Sequence, residues 1–158
     1  MIEKINRNQH NNLKNKNKRL LMPQIIWDNS LSLGIREIDD QHKVLIKLIN
    51  HFLEEIEKKE ATVYLVKKAI DEMETYTHTH FSLEELYFKA FKYSDAPAHI
   101  KEHEHFINYV ADLRKKYSPK NAFSLTSEIV SYLSAWIINH IKKTDRGYID
   151  LFIKNGIR

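Results

Sequence analysis

Four stretches of this 158-residue chain carry apolar residues at helical spacing, and each stripe brings a histidine onto the same line. The first runs Ile38, His42, Leu45, Ile49, Phe52 and Ile56. The second has Val66, Ile70, Met73, Thr77, His80 and Glu84, and the third His99, His103, Phe106, Val110, Leu113 and Tyr117. The fourth is Ile129, Leu133, Trp136 and His140. Steps of three and four keep residues on one helix face, and a helix in a bundle buries a face of this width. The pattern predicts an all-α fold, an up-down antiparallel four-helix bundle with polar groups in its core.

Only three glycines and three prolines occur, so long uninterrupted helices are possible and a turn-rich β fold is not expected. Residues 27–34 have turn-type composition and are predicted to form an N-terminal arm laid over the fold. The first helix is expected to begin at Asp39 or Asp40, either of which can cap it. The second is predicted over residues 62–88, with a link from Lys92 to Pro97, and Pro97 suits the first turn of the third helix. Ser118-Pro119 ends that helix. The fourth is predicted over residues 124–143, with Gly147 closing it and residues 148–153 forming a short helical docking segment.

The formal charge of +4 points to a nucleic-acid partner until its location is considered. Residues 1–24 hold six basic side chains (Lys4, Arg7, Lys14, Lys16, Lys18, Arg19) against Glu3, a net +5 that leaves the remainder at −1. No basic face is therefore implied on residues 25–158, the predicted bundle domain, and no nucleic acid is expected. The Asn/Lys-rich tail, residues 1–24, is predicted to be disordered, because so little apolar surface cannot offset the entropy of ordering. Leu20-Leu21-Met22 stops at Pro23, too short for a secretory segment, and no run reaches the length of a membrane span. A cytoplasmic protein is the expectation.

The candidate metal-binding residues are five histidines and two carboxylates: His42, His80, Glu84, His99, His103, His140 and Asp145. His80 with Glu84, and His99 with His103, lie four apart, about 40° around a helix. Burying seven such groups without strong partners costs several kcal/mol for each ionised one, a total rivalling the roughly 5–15 kcal/mol net stability of a domain. A bound cation satisfies them together. The other histidines act as an internal control: His51, His78 and His105 fall on the far side of their helices, and His10 lies in the tail. With no cysteine in the chain, any metal must be held by imidazole and carboxylate. Two six-coordinate ions offer about twelve positions. Five imidazoles, two bridging carboxylates and one bridging oxygen from water leave a single position open for a small ligand.

Together, residues 34–42 (GIREIDDQH), 80–85 (HFSLEE), 98–103 (AHIKEH) and 136–141 (WIINHI), followed by Asp145, resemble the hemerythrin family, in particular its single-domain bacterial branch, the bacteriohemerythrins. The resemblance runs from about Trp27 to the C terminus. It implies two iron ions (Fe2+/Fe3+), one held by His99, His103 and His140 and the other by His42 and His80. Glu84, Asp145 and an oxo or hydroxo group would bridge them. This likeness, and not periodicity, is what places Asp145 in the site, since five residues from His140 is poor geometry for one face of a straight helix. The likeness further implies reversible dioxygen binding for storage, transport or delivery to an oxygen-requiring enzyme, without catalysis. It implies an apolar oxygen pocket of Leu45, Phe81, Trp136 and Ile141. Phe88 and the Lys92-Tyr93-Ser94 stretch depart from the usual pattern, and the departure is expected to affect the local turn alone. The competing readings are a diiron oxidase, peroxidase or ferroxidase, and a module sensing oxygen, nitric oxide or iron. Carboxylate-rich sites built on Glu-x-x-His pairs typify such diiron enzymes. Here only Glu102 and His105 have that spacing.

Overall fold

A computed structural model describes residues 23–58 and 63–158. The first rod is α1, Arg36–Lys58. The second combines α2, Val63–Tyr76, a π-helical turn at Thr77–Phe81, and α3, Ser82–Phe91. Helix α4, Ala96–Lys116, forms the third. The fourth is α5, Ala122–Asn139, which continues through a second π-helical turn, His140–Thr144. A 3-10 turn, Asp145–Tyr148, then leads into the short α6, Ile149–Lys154. Helix α1 packs on α5 and α2, α2 on α4 and α5, and α6 on α3. The four rods make the expected antiparallel bundle, and the apolar stripes form its core. Residues 1–22, with most of the predicted tail, lie outside the described residues, as does the predicted start of the second helix at Thr62.

The first helix starts three residues before the nearer of its expected caps. Asp39 caps nothing there; its carboxylate accepts bonds from Ser32 Oγ (2.6 Å), Leu33 N (2.8 Å) and Gly34 N (3.3 Å). A carboxylate that pins a preceding loop is as useful inside a first turn as before it, so the helix is free to begin at Arg36. Gly34 adopts φ 72°, which lets the arm turn into the helix. The arm buries Ile25, Leu31, Leu33 and Ile35. Asn50 fastens its beginning, accepting from Ile25 N at 2.8 Å and donating to Ile25 O at 2.9 Å.

The other ends follow from local chemistry. Helix α3 runs to Phe91, past the expected residue 88, and stops where Lys92 enters the left-handed region at φ 56°. Its N–H returns to Phe88 O, as does that of Tyr93 at 2.9 Å, in the manner of a helix C-cap. Pro97 does sit in the first turn of α4. At the other end of α4, Asn121 takes Ser118 N–H (2.8 Å) and donates to Lys116 O (2.6 Å). That clasp lets α5 begin at Ala122 rather than at Ser124. Gly147 does not close the fourth rod: it lies within the 3-10 turn at negative φ, and its lack of a side chain admits the Tyr93 hydroxyl. Tyr148 and Phe152 beyond it are fully buried, so the predicted docking segment completes the core. On the outside, Arg114 of α4 bonds Asp71 and Glu74 of α2.

Candidate metal centre

All seven inward residues are buried, each at most 2% exposed. They fall into two overlapping groups whose ligand-type atoms lie within 4.8 Å of one another: Glu84, His99, His103 and His140, and His42, His80, Glu84 and Asp145. Glu84 belongs to both. Asp145 also reaches both sides, with Oδ2 at 3.2 Å from His42 Nε2 and Oδ1 at 3.3 Å from His99 and 3.2 Å from His140.

The distances are short, yet Glu84 Oε2, both Asp145 oxygens and the Nε2 atoms of His99, His103 and His140 make no hydrogen bond. Their lone pairs converge on shared points instead of on one another. Buried polar atoms left unpaired in this number are rare in folded proteins, and donors of this type fit metal ions. The outer ring nitrogens support that reading. Nδ1 of His80 faces Gln41 Oε1 (2.9 Å), that of His103 faces Glu85 Oε1 (3.0 Å) and that of His140 faces Glu102 Oε2 (2.8 Å). An acceptor on Nδ1 holds the proton there and turns the Nε2 lone pair inward. His42 Nε2 and His80 Nε2 meet at 3.2 Å, a distance that two inward lone pairs tolerate only with a cation or proton between them.

The electrostatics show the same demand for positive charge. Burial lowers His80 to about 3, against the pull of Glu84 and Asp145, so its ring stays neutral. Burial also penalises a charged His99, but the carboxylates of Asp145 and Glu84 close beside its ring prevail and raise it to about 9. Asp145 is held well below the carboxylate range because His140 and His42 outweigh its burial, and Glu84 is likewise lowered, chiefly by His80. Two buried anions that stay ionised require compensating cations.

The two π-helical turns lie at the centre. One holds His80, and the other starts at His140 and ends immediately before Asp145. A π turn takes up one more residue than an α turn, so the five-residue step from His140 to Asp145 stays on one face. The sequence pattern alone had no straight-helix place for Asp145.

Aromatic rings wall the cluster. Phe81 stacks on His103 (3.8 Å between centroids, 4°), Trp136 on His140 (4.2 Å, 18°) and Tyr76 on His80 (4.7 Å, 23°). Of the expected pocket positions, Leu45, Phe81 and Ile141 are buried, while Trp136 is half-buried. Trp136 and His140 line a surface groove of about 300 Å³ together with Glu102, Tyr132, Ala135 and Asn139. His51, His78 and His105 are exposed, as their phases predict, and His10 lies outside the described residues.

The sequence reading did not single out the polar residues around the cluster. Gln41, Glu85 and Glu102 each adjoin a candidate ligand in sequence but serve a histidine on another element. Tyr148 donates to Glu84 Oε1 at 2.5 Å. Phe88 also does more than shape a turn, packing on His99 at 4.7 Å.

Fold and site together define a class, a four-rod helical bundle with a buried imidazole–carboxylate cluster able to hold metal ions. The chain belongs to the hemerythrin family: residues 33–152 match the hemerythrin HHE cation binding domain. It is 34% identical over 129 residues to the Bacteriohemerythrin of Pseudomonas aeruginosa, covering 82% of each chain. It is 32% identical over 128 residues to that of Clostridium acetobutylicum, covering 79% of this chain and 98% of the relative. A Hemerythrin-like protein of Naegleria gruberi is 26% identical over 122 residues. No helix among the described residues is long and apolar enough to cross a membrane.

Proposed function

We propose that this protein binds dioxygen reversibly at a non-heme pair of iron ions, for storage or for delivery to an oxygen-requiring enzyme. The observation that carries the proposal is the convergence of seven buried donor residues, five of them with unpaired atoms facing the cluster and two of them carboxylates facing both halves of it. His99, His103 and His140 would hold one iron and His42 and His80 the other, with Glu84 and Asp145 between them. When bound, the iron pair supplies the two electrons and the vacant position that reversible dioxygen binding needs.

The chain's own residues account for the rest. Three rings on one side and two on the other leave the His42–His80 end one donor short. Gln41, Glu85 and Glu102 keep three imidazoles in the ligating tautomer. Leu45, Phe81, Trp136 and Ile141 exclude water and protons from the vacant position. Neutral imidazoles outnumber carboxylates, which favours holding dioxygen over activating it. The remaining nearby acids, Glu85 and Glu102, are turned to outer ring nitrogens and do not enrich the inner set. That arrangement disfavours an oxidase or ferroxidase.

The test is an optical oxygen titration of the reduced, iron-loaded protein. The reading predicts a visible band that disappears on deoxygenation and returns over repeated cycles. A band that decays in one turnover, or steady consumption of iron(II) or peroxide, contradicts it.

A further inference from the structure

The Tyr76 hydroxyl is a buried donor with no hydrogen-bond partner among the described residues. Tyr76 closes α2, one turn before His80, and lies 5% exposed. Its ring stacks on His80 and meets Phe81 edge-on at 5.5 Å. A buried phenol normally finds an acceptor, because its lost hydration must be replaced. Here the described residues provide none, although Tyr148, in the same interior, donates to Glu84.

The position of Tyr76 suggests where the missing acceptor belongs. His80 and His42 form the end of the cluster with fewer rings, so a small ligand completing the centre would bind on that side. Phe81, which Tyr76 touches, is one of the residues expected to wall that ligand. We propose that the Tyr76 phenol donates a hydrogen bond to a small acceptor ligand at the His42–His80 end of the centre, selecting ligands that carry negative charge on an outer atom. Azide and a partly reduced dioxygen would share that chemistry. This inference rests on the diiron reading.

Tyr76→Phe in the full chain tests it, because phenylalanine keeps the ring against His80. Two readouts apply: the thermal transition of the metal-free protein, and azide titration of the oxidised, iron-loaded protein followed by its absorption band. The proposal predicts a metal-free transition no lower than wild type, unchanged iron content, and an azide dissociation constant raised roughly tenfold or more, the usual worth of a hydrogen bond to a charged group. An azide affinity equal to wild type overturns it. So does a lowered metal-free transition, which would mean that the hydroxyl already has a partner in the free protein. A wild type that takes up iron and azide while the variant matches it sinks this inference alone. A wild type that takes up no iron pair sinks the diiron reading and this inference with it.

Discussion

Glu85 and Glu102 touch the outer nitrogens of His103 and His140, so their effect on the centre is indirect and separable from folding. Glu85→Ala leaves His103 free to choose its tautomer. Iron affinity is expected to fall roughly 10- to 100-fold in chelator competition, with helicity unchanged. A different residue-scale effect sits at Lys92, the one non-glycine with positive φ among the described residues. Lys92→Gly relieves a left-handed side chain at a helix end and is expected to stabilise the fold by about 1 kcal/mol in denaturant unfolding. The five inward histidines were legible in the sequence because each lies on an apolar stripe, as His42 does with Ile38 and Leu45. Tyr148, Gln41 and Glu102 were not, since the partner of each lies on another element and no spacing rule links them. Tyr76 was missed although it lies four residues before His80, because the neighbouring stripe through Met73 and Thr77 drew the helix face.

At the scale of elements, the π turn between His140 and Asp145 decides the site. It is also where sequence periodicity failed, since a straight-helix rule places a residue five positions on too far around the face. Family likeness supplied Asp145, and the wider turn gives the physical reason. The helix boundaries missed for a similar cause. Asp39 had the composition of a cap but spends its carboxylate on Ser32, Leu33 and Gly34. A further element-scale prediction concerns the clasp between α2 and α4. Asp71 is held below its ordinary value by its bonds to Lys67 and then Arg114. Its contribution is therefore full above the unfolded carboxyl value of about 3.9 and fades as pH falls through the lower folded one. These groups are only half-buried and open to screening by solvent, so Arg114→Ala is expected to cost only about 0.5–1 kcal/mol at neutral pH. The difference from wild type should shrink in melts at about pH 2–3. A cost independent of pH would mean that Arg114 acts through packing.

For the molecule as a whole, the bundle places two ionised carboxylates and five imidazoles in a core otherwise made of apolar side chains. Bound cations would convert that interior from a burden into a clamp across all four rods. Iron at a thousandfold excess over its dissociation constant contributes about 4 kcal/mol, so its removal should lower the melting temperature on the order of 10 °C. An unchanged transition would mean that the cluster does not hold metal in the folded state. The bundle itself was legible from four stripes and a scarcity of glycine and proline. The most direct measurement is the iron content of the protein loaded without oxygen and freed of loosely held metal. Two irons per chain, lost together when Glu84 is replaced by alanine, is the predicted result. One iron per chain or none, or a pair that Glu84→Ala leaves in place, would contradict the shared-carboxylate centre.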